Sequence, residues 1–402
     1  MIKGQNPRER KKTEMKVLMV AYSRAMYGAA HSLLALIKDL RDRYGVECCV
    51  LMSSVNDGEL AEVLEKEGIE YIIAPMKNWV IPSDENLKKL RGLSAQIKTA
   101  VLHNRLMKRI GKRKFDLVYS NNSTVQEGSY IAGSMNIPHI WHIREYGRPD
   151  FGIDFSYPLR LVRKKFGQAA AVITVSGSLR KYYRKKYGID SVTIYNGVDV
   201  KTDKTDTDEG KHVEIHGVTR FVCAGTLQSG KNQLELIKAA GILQKRGITD
   251  FVIEIVGSGE AYEKELKKYI SENDIKNVCF NGYKDDVPAF LRDMDAGVMC
   301  SRAEAFGRVT CEYMAAHLPV IGAASGGTVD IIADGETGFL YKPGVPEKLA
   351  EKMQILIEDK RNGASLMKKM GEAGYNRVST EFTVRKNTDS IYKLFCNAVE
   401  NG

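Results

Sequence analysis

The chain has 402 residues, 43% of them apolar and 27% charged, which fits an ordinary globular protein of two or three domains at ~150 residues each and excludes a disordered or low-complexity one. No apolar run reaches the ~20 residues needed to span a bilayer, and the polar, basic residues 1–14 contain no secretory core, so a cytoplasmic location is expected. The net charge of +10 is concentrated in residues 1–200, where 33 Lys and Arg face 20 Asp and Glu, and this asymmetry points to an anionic partner for that half.

In chain order, apolar runs at 16–21, 46–52, 71–74, 116–120, 139–142 and 171–175 read as strands, with helical patterns such as 29–43 and 59–67 between them. Strands alternating with helices of ~10–15 residues predict a parallel sheet covered on both faces. Cys48 and Cys49 fall on the second run, and the seven scattered cysteines, without metal-ligand spacing, read as thiols of a reducing compartment. Basic side chains gather at 108–114, 160–165 and 180–186, either as solvated faces or as a surface for an anionic partner.

The pattern breaks after the Asn196-Gly197 turn, where the polar run from Lys201 to Gly210 has no apolar periodicity. Residues 1–200 are therefore read as a first domain, 201–216 as a linker and 217–379 as a second domain. Alternation restarts with strands at 220–225, 251–256, 278–280, 297–300 and 320–322. A last helix over 379–400 puts Ile391, Leu394 and Phe395 on one face. The predicted fold class is α/β: two Rossmann-like, doubly wound units facing a cleft at the carboxyl ends of their strands, where open sheets bind ligands.

The segment from Cys300 to Ile321 carries the strongest chemical signal. It leads from an apolar strand through a turn containing Gly307 into a helix that Pro319 closes. The open N-terminus of a helix suits a phosphate. Glu304 and Glu312, one on each side of that start, repel phosphate but accept hydrogen bonds from polyol hydroxyls. A phosphate held between two polyols describes a nucleotide-sugar. Taken one at a time, each acid also fits an ordinary amphipathic helix.

Lys231 ends a Gly-rich turn, Gly225 to Gly230, after an apolar strand. It is either a solvated loop lysine or the cation that balances a phosphate. Asn232 stands where a nucleotide-binding P-loop needs Ser or Thr. Gly257 and Gly259 lack the third glycine of a dinucleotide fingerprint, which argues against a nicotinamide cofactor. Neither Asp150 with Asp154 nor Asp206 with Asp208 makes a convincing metal pair, so no metal and no other cofactor is expected.

These segments, with Asn196-Gly197-Val198-Asp199, Phe280 to Tyr283 and the run Gly326-Gly327 to Tyr341, resemble in order the retaining glycosyltransferases of family 4, over roughly residues 16–400. The resemblance implies the glycosyltransferase-B fold, with a C-terminal helix at about 380–402 returning to the first domain. It makes Lys231 the phosphate-binding cation, assigns Glu312 to the ribose and Glu304 to the donor sugar, and brings the amides of Phe306, Gly307, Arg308 and Val309 to the sugar and diphosphate. It places Gly28 near the diphosphate, His142 on the sugar hydroxyls, and Gly257, Gly282 and Tyr283 near the nucleobase. Arg144 and Glu145 are read as acceptor-side groups, Arg144 suiting an acidic acceptor. The chain departs from the family at Thr226, where Arg is frequent, and at Ala29 and Ala305, where Gly is common.

The expected function is metal-independent, retaining transfer of a hexose from a nucleotide-sugar, UDP-linked by family frequency, to a glycan or lipid-linked acceptor in surface polysaccharide synthesis. Catalysis would rest on Glu304, His142 and Lys231. Peripheral attachment to the inner face of an anionic membrane, through the basic first domain, is a further expectation; no nucleic-acid partner is expected. The alternatives are a nucleotide-sugar epimerase of the same architecture and a non-catalytic nucleotide-sugar-binding partner in a glycan assembly.

Overall fold

The computed structural model describes residues 15–55, 57–83, 92–200 and 217–402, so the linker read at 201–216 lies outside the described residues. Residues 17–21 are apolar and buried throughout, as a strand covered on both faces requires. They belong to β1 (Lys16–Ala21), which is followed by β2 (Glu47–Ser53), β3 (Glu70–Ala74), β4 (Val80–Pro82), β5 (Leu117–Ser120), β6 (His139–Ile143), β7 (Ile153–Phe155), β8 (Ala171–Thr174) and β9 (Val192–Thr193). Seven of them form a parallel sheet in the order β3-β2-β1-β5-β6-β8-β9. The short β4 and β7 pair antiparallel in a ribbon outside that sheet.

The second sheet has six parallel strands, β10 (Thr219–Ala224), β11 (Phe251–Val256), β12 (Val278–Phe280), β13 (Ala296–Met299), β14 (Val320–Ala323) and β15 (Gly338–Tyr341), in the order β12-β11-β10-β13-β14-β15. Strand order reverses between β1 and β5 in one sheet and between β10 and β13 in the other. A doubly wound sheet leaves a crevice beyond its strand ends at such a reversal.

The chain crosses between the domains at its end. Helix Ser365–Glu381 packs on helix Arg308–Ala315 of the second domain, and helix Val384–Asn401 packs on helix Gly28–Tyr44 of the first. Ile391 and Phe395 of that last helix are fully buried there beside Leu33, Leu36 and Ile37. The single helix read at 379–400 is thus two helices, because Phe382 and Thr383 leave helical geometry and Thr383 starts a new one. The Thr383 hydroxyl accepts from the Lys386 amide at 3.1 Å, satisfying one of the unpaired donors of the new helix. Thr383→Ala is expected to cost about 1 kcal/mol, read as a fall in chemical-denaturation midpoint without a change in slope.

Asn196 to Val198 meet this crossing. The Val198 amide donates to the Phe382 carbonyl at 2.8 Å, and the Asn387 side chain donates to the Tyr195 carbonyl at 2.6 Å. A Cβ on Gly197 would lie 2.4 Å from the Val384 Cα, so only glycine fits the approach. Two further contacts bind the domains. The Ser176 hydroxyl donates to the Ala305 carbonyl at 2.6 Å, and Asp330 accepts from the Gly177 amide at 2.6 Å at the start of helix Gly177–Tyr187. A carboxylate at a helix N-terminus is electrostatically favoured. Among the described residues, no helix is long and apolar enough to cross a membrane.

Candidate active site

The carboxyl ends of β10 and β13 bring two charged side chains together from 73 residues apart. After β10 the chain makes a 3-10 turn, Ser229–Lys231, and Asn232 adopts a left-handed conformation before helix Gln233–Lys245. That turn aims Lys231 at the loop after β13, where its Nζ lies 2.6 Å from Glu304 Oε2. Both side chains keep partial exposure, 31% and 17%, so solvent and a ligand can reach the pair.

The turn from Glu304 to Gly307 is held from behind by the two glycines after β14. The Gly327 amide donates to the Glu304 carbonyl at 2.6 Å, and a Cβ on Gly327 would lie 2.4 Å from the Phe306 carbonyl oxygen. Phe306 itself is buried against Tyr195 and Phe382 at the domain crossing, so its backbone and not its ring faces the cleft. Gly307, at φ +105°, opens helix Arg308–Ala315, whose first amides, including that of Val309, have no partner within the helix. On the first turns Arg308 Nε donates to Glu312 Oε1 at 2.9 Å.

The first domain closes on this pair through helix Gly28–Tyr44. Ser32 Oγ lies 3.4 Å from Arg308 Nη1 and donates to the Gly28 carbonyl at 2.9 Å. His31 stands on the same turn. Partial burial, followed by the nearby positive Arg308, lowers its pKa. Sequence reading pointed at Gly28 and passed over His31 and Ser32, although both directly follow the Gly-rich loop on the helix that loop begins.

Two expected positions lie deeper than the cleft surface. His142 lies inside β6, fully buried, with Nδ1 hydrogen-bonded to the Tyr119 hydroxyl, and burial pushes its pKa well down. Its Nε2 is buried without a hydrogen-bond partner among the described residues. Glu145 is also buried. Its Oε1 accepts from the amide and the hydroxyl of Ser123, each at 2.6 Å, so it anchors the loop after β5 and is not presented to an acceptor.

Arg144 does face the cleft, held by Asn121 Oδ1 at 2.8 Å and by Asn196 Oδ1 at 2.6 Å. It lines a cavity of about 110 Å³ with Asp150, Gly230, Lys231, Glu304 and Ala305. Asp150, set aside as an unconvincing metal ligand, enters from the short helix Arg148–Phe151 that precedes β7. Its Oδ2 accepts from the Tyr146 amide at 2.7 Å, while burial pushes its carboxyl up to about 7.

That shift has a stability sign. The folded state holds the Asp150 proton between the ordinary value of 3.8 and about 7, so stability falls as pH rises through that window. Asp150→Asn removes the cost of the buried charge. It is expected to raise stability above about pH 7, by at most ~4 kcal/mol at ~1.4 kcal/mol per unit, and to leave it unchanged below pH 3.8. Thermal unfolding at both ends of the window checks this.

Gly257, Gly282 and Tyr283 gather beyond β11 and β12. The Gly257 amide donates to the Gly282 carbonyl at 2.8 Å, and a Cβ on Gly257 would lie 2.0 Å from the Gly225 carbonyl oxygen. The three loops therefore stack backbone on backbone, and Tyr283, 70% exposed, stands free at their edge.

Two facing parallel α/β sheets, a returning C-terminal helix and an anion-ready helix start at their shared cleft define the glycosyltransferase-B architecture. The first half of the chain matches glycosyltransferase family 4 over residues 26–202, and the second matches the glycosyl transferases group 1 over residues 204–377. The protein belongs to this glycosyltransferase family.

An uncharacterized glycosyltransferase of Methanocaldococcus jannaschii is 28% identical over 79% of this chain and 85% of its own length. The Staphylococcus aureus capsular polysaccharide biosynthesis glycosyltransferase CapM is 28% identical over 44% of this chain and 46% of its own. In three dimensions the chain is similar to Anabaena HepE in complex with UDP, with a TM-score of 0.76 at 22% identity over 95% of this chain and 100% of the other. It is also similar to a Rickettsia africae glycosyltransferase, with a TM-score of 0.78 at 20% identity over 97% and 100%.

Proposed function

We propose that the protein transfers a hexose from a UDP-sugar to a glycan or lipid-linked acceptor in surface polysaccharide assembly, with retained anomeric configuration and without a metal. The observation that carries this reading is the Lys231–Glu304 pair at 2.6 Å beside the open start of helix Arg308–Ala315. The UDP held by HepE and the capsular role named for CapM support the donor and the product class.

Breaking the bond between the anomeric carbon and the diphosphate leaves negative charge on the departing oxygen. In this reading Lys231, Arg308 and the first helical amides stabilise that charge as groups oriented before the reaction, the most effective form of electrostatic stabilisation. Glu312 accepts from the ribose hydroxyls and Glu304 from the sugar. The acceptor hydroxyl bonds to the anomeric carbon on the face the diphosphate leaves, and its proton passes to the departing phosphate oxygen.

Incubation with a panel of nucleotide-sugars, following diphosphate release with and without EDTA and the product anomer by NMR, tests this. Release insensitive to EDTA with a retained anomer is expected. An inverted product, or interconversion of sugars without release, contradicts it.

Helix Leu159–Gly167 supports attachment to an anionic membrane: Leu159 and Leu161 are exposed beside exposed Arg160, Arg163 and Lys164. Vesicle sedimentation across a salt series should show binding that weakens as salt rises; binding indifferent to salt would remove the electrostatic part of the reading.

A further inference from the structure

Asn232 stands where a nucleotide-binding loop carries Ser or Thr, and the donor-site chemistry leaves it without a part. It sits at φ +56°, between the 3-10 turn that ends in Lys231 and the first residue of helix Gln233–Lys245. Asparagine is one of the few residues besides glycine that adopt this conformation readily. The residue is only 4% exposed, so it acts on its neighbours and not on a ligand.

Both ends of the Asn232 amide are engaged. Nδ2 donates to Glu235 Oε2, three residues on, and Oδ1 accepts from Arg302 Nη2 at 3.2 Å. Glu235 is itself buried, and its Oε2 also accepts from the Tyr341 hydroxyl at 3.3 Å, which ties it to the end of β15. Arg302 comes from the loop after β13, two residues before Glu304, and its amide donates to the Gly230 carbonyl at 3.2 Å. Arg302 therefore holds the lysine turn twice, at Gly230 through its backbone and at Asn232 through its guanidinium. Lys231 lies between those two points.

A side chain that joins a carboxylate to a guanidinium must donate at one end and accept at the other. Asparagine does so with two separate atoms. Aspartate would set a second negative charge against Glu235, and a hydroxyl offers a single atom for both bonds. Lysine carries its charge on a flexible four-carbon stem, so fixing the backbone on each side of Lys231 narrows where its ammonium stands. Stabilisation by preorganised charge depends on that kind of placement.

We infer that Asn232, bridging Glu235 and Arg302, is a positioning residue for sugar transfer: it fixes the turn on which Lys231 meets Glu304 and affects the reaction only through that lysine. The inference rests on the transferase reading proposed above. It gives the Asn that follows Gly230-Lys231 a purpose that neither a metal nor a phosphate supplies.

Asn232→Gly removes the amide while the backbone can keep its left-handed turn, and Arg302→Ala removes the other half of the bridge at an exposed side chain. The assay is diphosphate release from the nucleotide-sugar that the panel selects, with UDP affinity measured by calorimetry. Each substitution is expected to lower kcat about tenfold, less than the ~10²-fold that a misplacement of a whole ångström costs. UDP affinity should stay within about threefold of the parent, because the ammonium is still present. Placed in a Lys231→Ala chain, either substitution should cost less than about threefold further, since the group it positions is gone. A further loss of about tenfold in that background would show an effect independent of the lysine and overturn the assignment. A kcat within about threefold of the parent in either variant would overturn it as well. Melting temperatures report folding, and if Asn232→Gly does not fold, Arg302→Ala decides alone. A parent chain that releases no diphosphate from any nucleotide-sugar defeats the transferase reading itself, and this assignment with it.

Discussion

Lys231→Ala is expected to slow sugar transfer by about 10²–10³-fold, the loss typical of removing one oriented group that stabilises transition-state charge. The effect has two sources. The cation nearest the departing diphosphate disappears, and Glu304, which Lys231 holds at 2.6 Å, is left as an uncompensated negative charge facing the same pocket. The second source predicts a coupling: Lys231→Ala combined with Glu304→Gln should bind UDP better than Lys231→Ala alone. Lys231→Arg should recover only part of the activity, since a planar guanidinium does not replace a compact ammonium at the end of a short turn. Steady-state rates for the three variants and the parent, with calorimetric titration of UDP for the coupling, measure all of this. A loss under about threefold for Lys231→Ala would remove the lysine from the chemistry.

Gly326→Ala should also be damaging, by a route that touches no ligand. Gly326 has φ +57°, a conformation that costs an alanine about 1–2 kcal/mol by itself. The added Cβ would lie 2.2 Å from the Glu304 carbonyl oxygen and 2.8 Å from its amide nitrogen. Both are backbone atoms, so no rotamer change relieves the overlap, and the loop after β14 must part from the turn it supports. The bond from the Gly327 amide to the Glu304 carbonyl goes with it. A total destabilisation of about 3 kcal/mol is expected, with transfer falling by roughly 10²-fold because Glu304 loses its position. A variant that melts and turns over like the parent would show that the turn holds itself.

The sheets were legible because their strands are short apolar runs buried on both faces. The runs read at 16–21 and 251–256 coincide with β1 and β11. The β4–β7 ribbon was not legible: three-residue strands carry no period, and Val80 pairs with Phe155 only because the tertiary fold brings them together. The same limit hid the break at Phe382 and Thr383, where helical periodicity continues on both sides.

Within the site, sequence could nominate Lys231 and Glu304 but not pair them, since their contact depends on two loops from different strands. The burial of His142 was hidden for a related reason. Spacing shows that a residue ends a strand, and it does not show which neighbour closes over it. Asp150 was judged only by its distance from Asp154 along the chain, and its relevant neighbours are Tyr146, Lys231 and Glu304.

Calorimetric titration of UDP into the wild-type chain, Lys231→Ala and Glu312→Ala tests the donor site most directly. One site is expected, with affinity falling about tenfold or more in each variant, as the loss of a charge-assisted contact to phosphate or ribose requires. No heat of binding in the wild type, or the same affinity in all three, would contradict a nucleotide held between the lysine turn and the start of helix Arg308–Ala315.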